Sequence, residues 1–295
     1  FRNFLIKNKL ARRHGPAFLG IGCQKAGTGW FYDAFKLNDN CKMLPIKEVH
    51  HYDMLQRSRF FSEHHQKRLE KFTKKRVGGL SGAEKKEWLS SLSAYMAQPS
   101  LTNYKNLFSV SGTKISGDIT PGYSVLNDQF ISTVREDLGD IPIFMLSRDP
   151  LGRIISAYNM FLRFQMRRAG IPNTNWASTI HSYHSIEKIE EYLSRESTKG
   201  RSFPSQIYAK WSKHFSRVIV YDFNHIIDCP EDVLRHAFGV VGVSVENIVV
   251  PRNRKDKDEK VTLSESDKKI FIEYLGEELK KYNSWIHSIR ENLKK

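Results

Sequence analysis

The chain has 295 residues, 40% hydrophobic and 12% aromatic, with 47 Lys and Arg against 32 Asp and Glu for a formal charge of +15. This composition excludes a disordered or fibrous chain and supplies enough apolar surface for one sizeable core. The basic surplus selects anionic partners, whether nucleic acid, acidic membrane, phosphorylated cofactor or acidic glycan, without choosing among them.

Cys23, Cys41 and Cys229 are odd in number and widely spaced, so neither a disulfide framework nor a zinc site is expected, and a reducing, cytoplasmic setting is favoured. No run approaches the ~18 apolar residues of a membrane span. Residues 1–13 alternate basic and apolar side chains, the pattern of an amphipathic helix packed on its own protein or touching a membrane surface. Ala17 to Ile21 reads as a short buried strand, followed by a Gly/Lys/Thr turn and a helix beginning near Trp30. The small residues Ala26, Gly27 and Gly29 let backbone N–H groups approach an anion, the helix start adds partial positive charge, and Lys25 and Thr28 add a cation and a hydroxyl. Lys25 precedes Gly27 where a Walker A loop needs its Lys after the last Gly, and Lys25 also stands where a dinucleotide fingerprint needs its third Gly. A phosphate-shaped ligand is expected, bound by neither of those motifs.

Cys41 to Pro45 suggests a second strand carrying Lys47-Glu48-Val49-His50-His51-Tyr52 to the sheet edge. Residues 54–110 read as a helix-rich insertion over one edge of the sheet, with Lys67 to Arg76 a solvated charge run; His50, His51, His64 and His65 fit no metal-binding spacing. Further on come a strand at Lys114 to Asp118, a helix at Asn127 to Leu138 and a strand at Ile141 to Ser147. Asp149 and Pro150 then cap a helix with Ile154, Ile155, Tyr158, Phe161 and Leu162 on one side. Ser205 to Phe215 and Pro230 to Phe238 read as helices around a strand at Val218 to Tyr221, and Ser264 to Asp267 as a capping-box start to the carboxy-terminal helix. Strands separated by helices predict one α/β domain over residues 1–295, a central parallel sheet flanked by helices with ligands at the carboxyl ends of its strands. Lys25, Glu48, Asp118 and Arg148 all fall at such ends and are expected to share one site.

Three segments carry a family resemblance. Gln24-Lys25-Ala26-Gly27-Thr28-Gly29-Trp30 resembles the 5′-phosphosulfate loop of the sulfotransferases, with Gln24 in place of Pro and Gly29 in place of a second hydroxyl residue or Arg. Arg148-Asp149-Pro150-Leu151-Gly152-Arg153-Ile154-Ile155-Ser156-Ala157-Tyr158 resembles their 3′-phosphate segment at every signature position. Lys47-Glu48-Val49-His50 and Thr120-Pro121-Gly122-Tyr123 resemble the glycan branch related to the heparan sulfate enzymes. Ile119 stands there where a second Lys belongs, as in bacterial members, and Lys114 is the candidate substitute.

The resemblance implies a P-loop-like fold and 3′-phosphoadenosine-5′-phosphosulfate (PAPS) as donor. It implies adenosine 3′,5′-bisphosphate as product, no metal, and a hydroxyl or amine of a glycan as acceptor. A lipid, a polyketide-like chain or a small alcohol is the alternative acceptor. By resemblance the donor is held by Lys25 to Trp30, Arg148, Ser156, Tyr208 on the Ser205 to Phe215 helix, and the basic segment Arg252-Asn253-Arg254-Lys255. Glu48 is the first candidate for general base with Lys25 and Lys47 as charge stabilisers, and His50 and His51 are its rivals. Because residue 1 is Phe, a trimmed amino-terminal anchor would instead put the chain in the Golgi lumen. Outside this class stand a magnesium-dependent nucleotide enzyme and a non-catalytic polyanion-binding module.

Overall fold

The computed structural model describes residues 15–58, 70, 82–110, 112, 114–244, 246–252 and 260–292. Residues 1–13, the charge run at 67–76 apart from Glu70, His64, His65, and Asn253, Arg254 and Lys255 lie outside them. Four parallel strands, β1 (Leu19–Gly22), β2 (Asp118–Ile119), β3 (Ile143–Ser147) and β4 (Val218–Asp222), pair in the order β2-β1-β3-β4. Leu19 aligns with Asp118 on one side and Ile143 on the other, and Ile143 aligns with Val218. Phe18, Leu19, Ile21 and the run Ile143 to Leu146 are fully buried, as expected for central parallel strands covered on both faces.

The covering helices follow in chain order: α1 (Thr28–Leu37), α2 (His51–Gln56), α3 (Gly82–Ala97), α4 (Leu101–Ser109), α5 (Asp128–Leu138), α6 (Pro150–Arg168), α7 (Ile186–Ser194), α8 (Glu196–Ser202), α9 (Pro204–Ser212), α10 (Pro230–Val240), α11 (Glu265–Leu275) and α12 (Glu277–Asn292). On α1, Phe31 and Phe35 are one helical turn apart and pack on Phe144 of β3 at ring-centroid distances of 5.3 and 6.3 Å. Asn127 accepts the Phe130 N–H to start α5, Asp149 accepts the Gly152 N–H to start α6, and Ser264 and Asp267 form a reciprocal capping box on α11. Those three starts are where the sequence puts them.

Other elements differ. Cys41 to Pro45 is not a strand: a single parallel bridge joins Cys41 to Ile115, after which Met43 and Leu44 turn into the core and Pro45 has no N–H to extend a ladder. The strand expected at Lys114 to Asp118 shrinks to Asp118–Ile119, because Gly117 crosses over the Phe18 ring, where an added Cβ would sit 2.3 Å from ring carbon. The described helices of the insertion, α3 and α4, cover the β2 edge, with Trp88, Leu92, Tyr95, Tyr104 and Leu107 buried in the main core.

Candidate active site

Beyond the carboxyl end of β1 the chain makes a tight anion-sized turn. Lys25 is left-handed at φ 70°, and Gly27, at φ 93°, occupies the N-cap of α1 with no side chain capping the helix. The first N–H groups of α1 therefore have no side-chain cap, the arrangement found where a helix start binds an anion. A Cβ on Gly29 would stand 3.4 Å from Lys47 Nζ, so the missing side chain at position 29 gives the Lys47 ammonium room beside the helix start.

Phe223, just past β4, links this turn to the second motif. An added Cβ on Gly27 would lie 3.6 Å from its ring, and the Arg148 guanidinium lies over the same ring at 4.8 Å. Arg148 Nε is also 3.5 Å from Asp149, whose carboxylate reaches the α6 N-terminus because residue 152 is Gly: a Cβ there would come within 2.6 Å of it. Ser156 lies half-buried two turns into α6, whereas Arg153 is buried and donates to Ser202 Oγ at 3.1 Å, a packing role. The Trp30 indole donates to the Pro251 carbonyl at 3.2 Å, and the Val261 N–H donates to Asn159 Oδ1 at 2.8 Å. Pro251 and Val261, on either side of residues 252–260, are thus tied to α1 and α6.

The third segment carries a cluster of titratable groups. Glu48 and His50 are both left-handed, at φ 63° and 59°, flanking the buried Val49. Glu48 Oε1 is 3.5 Å from Lys47 Nζ and Glu48 Oε2 is 3.4 Å from His50 Nε2; His50 Nδ1 is 2.8 Å from Asp53 Oδ2. The imidazole is held between two carboxylates, and Gly122 forms its floor, since a Cβ there would come within 2.9 Å of His50 Nδ1. Asp53 was not singled out by the sequence; its signal was the i, i+3 spacing from His50 at a helix start. Burial pushes the Asp53 carboxyl up, but the His50 hydrogen bond and charge, with Arg57 and Arg201, outweigh it and hold the pKa below its ordinary 3.8. A carboxyl depressed on folding stabilises the protein above its unfolded value and loses that contribution as pH falls through its folded value. Urea unfolding midpoints should therefore drop below pH 3.8 in the wild type, and by less in Asp53→Asn.

No family model matches the chain, and no curated protein sequence does. Among solved structures it is similar to a sulfotransferase from Alicyclobacillus acidocaldarius, at 16% identity and a TM-score of 0.57 over 92% of this chain and 96% of that one. It is also similar to the sulfotransferase domain of the Synechococcus PCC 7002 olefin synthase, at 12% identity and a TM-score of 0.50 over 80% and 77% of the two chains. The chain has the sulfotransferase fold.

Not every residue singled out by the sulfotransferase resemblance reaches the turn. His51 is 2% exposed, stacked on Tyr104 at 4.3 Å with its Nδ1 3.1 Å from Tyr95 Oη, so burial removes it from contact with a ligand. Asp118 does not join Lys25, Glu48 and Arg148; it is buried on the insertion side and accepts hydrogen bonds from Tyr104, Thr120 and Tyr123 at 3.0, 2.7 and 2.6 Å. Tyr123 Oη in turn accepts the His51 N–H at 3.1 Å, fixing the backbone that carries Glu48 and His50. Lys114 lies exposed near Cys41, before β2 begins, and so cannot stand in for the missing second Lys at the strand's other end. Tyr208 packs on Trp285 of α12, and Arg252 is exposed beside the anchored Pro251. The sequence also gave no notice of Phe223, nor of α7 and α8, although Ser185 caps α7 ahead of Ile189, Tyr192 and Leu193.

Proposed function

We propose that this protein is a PAPS-dependent sulfotransferase in which Glu48 is the general base. The observation that carries the reading is the Phe223 ring shared by Gly27 and Arg148, which brings an uncapped helix start and a guanidinium to one side chain. Two anion-binding groups so close suit a nucleotide with phosphates at both its 5′ and 3′ positions. The described residues at the turn and at β3 fit such a donor: Lys25, Ala26, Gly27, Thr28 and Gly29 would hold the 5′ end and Arg148 and Ser156 the 3′-phosphate, and the resemblance adds Trp30, Tyr208 and the segment from Arg252 to Lys255 to its contacts.

The donor supplies a sulfonate whose bond to a 5′-phosphate oxygen breaks as the acceptor oxygen bonds to sulfur, leaving adenosine 3′,5′-bisphosphate. Glu48 takes the acceptor proton, His50 orients Glu48, and Asp53 orients His50. Lys25 and Lys47 provide fixed positive charge where negative charge accumulates, so the reading needs no metal. The Lys47-Glu48 segment favours a glycan acceptor; a cavity beside Gln24 favours an acceptor with an apolar body, taken up below.

Calorimetric titration of adenosine 3′,5′-bisphosphate in EDTA, with adenosine 5′-monophosphate as control, tests the proposal. Binding should require the 3′-phosphate and weaken by about tenfold or more in Arg148→Ala, the worth of a charge-assisted hydrogen bond. A magnesium requirement would favour the nucleotide enzyme. Equal binding of the two nucleotides, or none, would favour the polyanion module.

A further inference from the structure

A cavity of about 220 Å³ opens beside both proposed donor motifs: Gln24, which precedes Lys25, lines it at one end, and Ala157, which follows Ser156, lines its α6 wall. Met160, Phe161 and Phe164 continue that wall, and Tyr192 of α7 and Arg201 of α8 close the other side. Phe164 is 41% exposed at α6, an apolar surface left uncovered. The Met160–Phe161–Phe164 wall suits an aromatic ring or short alkyl chain better than the hydroxyl-covered faces of a sugar.

Ser197, Thr198 and the exposed Arg195, whose guanidinium lies 5.1 Å over the Phe161 ring, also line the cavity, and its inward cation is Arg201. Its Nε is buried and has no hydrogen-bond partner, a costly condition for a cation unless a ligand supplies one. Arg57 and Arg153 add positive charge around it, and Asp53, already engaged by His50, is the carboxylate that offsets them. Burial and those neighbouring guanidiniums push the Arg201 pKa down, the electrostatic mark of a site short of negative charge.

Resting on the sulfotransferase reading, we propose that the acceptor is a hydroxylated molecule with a compact apolar body and an anionic group, the body filling the Met160–Phe161–Phe164–Tyr192 cavity and the anion pairing with Arg201. Arg201 then sets acceptor specificity, and it does so beside the carboxylate that positions His50. A glycan, even one that carries carboxylates, has no compact apolar body to pack against the Met160–Phe161–Phe164 wall.

The probes are 4-hydroxyphenylacetate, its uncharged analogue 4-hydroxyphenylacetamide, and a heparosan tetrasaccharide, each titrated into the 295-residue chain saturated with adenosine 3′,5′-bisphosphate. The acid should bind about tenfold tighter than the amide. Arg201→Gln should bring the two to equal affinity, Arg201→Lys should keep part of the preference, and Met160→Trp, which fills the cavity, should abolish binding of both. Nucleotide binding unchanged in all three variants shows that they are folded. Equal binding of acid and amide to wild type overturns the proposal, as does a preference that survives Arg201→Gln, binding that survives Met160→Trp, tighter binding of the tetrasaccharide, or no probe binding to protein that holds the nucleotide. Failure of the wild type to bind adenosine 3′,5′-bisphosphate would instead sink the sulfotransferase reading itself.

Discussion

Glu48→Gln should lower kcat by about 10²- to 10⁴-fold, the range lost when a positioned general base is removed. The amide keeps the shape of the carboxylate and its place near Lys47 Nζ and His50 Nε2, at 3.5 and 3.4 Å, but it cannot take a proton. Release of adenosine 3′,5′-bisphosphate from PAPS in the presence of acceptor reads the loss, while calorimetry should find nucleotide affinity within about twofold of wild type, since the base is no part of the phosphate turn. His50→Ala separates the two candidate roles of the imidazole. As a positioning residue, its loss should lower kcat less than Glu48→Gln and shift the acid limb of the pH–rate profile. A loss as large as that of Glu48→Gln, with the acid limb gone, would make His50 the base and overturn the assignment.

The second large effect is on stability. Asp118 is 1% exposed and accepts from three buried hydroxyls, so Asp118→Ala strands Tyr104, Thr120 and Tyr123 together. With each stranded group worth about 1–3 kcal/mol and some relief from water entry, the loss should be about 3–5 kcal/mol, a large part of the ~5–15 kcal/mol that holds a typical domain together. Urea denaturation measures it; a loss under ~1 kcal/mol would mean the hydroxyls find other partners. Asp118→Asn keeps one acceptor oxygen and should fall between wild type and Asp118→Ala. The carboxyl is also pushed up by burial, against the lowering effect of its three hydroxyl donors and His50, and it remains above the ordinary 3.8. A carboxyl raised on folding makes stability fall as pH rises through the interval from 3.8 to its folded value, opposite in sign to Asp53.

Local chemistry made much of this legible from residue order alone. The Asp149 cap and the Ser264–Asp267 box are written within a few residues of where they act, because each satisfies backbone groups of its own helix, and the turn at Gly27 is legible because its left-handed backbone favours glycine. What stayed hidden depends on distant partners. Asp118 sits on a two-residue strand, too short for alternation to show which face it takes, and the face is decided when Ile119 settles over Gly20, where an added Cβ would come within 2.9 Å. Phe223 gains its meaning only when β4 aligns with β3 and brings it under Arg148. Whether His50 or His51 faces the turn was likewise undecided by adjacency: one meets carboxylates, the other a tyrosine cluster.

That tyrosine cluster constrains how this protein can change over evolutionary time or in an engineer's hands. Tyr95 and Tyr104 reach from the insertion to His51, and Tyr104 shares Asp118 with Tyr123, which grips the backbone of the acid–base segment. The insertion is therefore not an interchangeable cassette. A transplanted insertion that lacks the two inward tyrosines would loosen the Glu48–His50 backbone without touching either side chain.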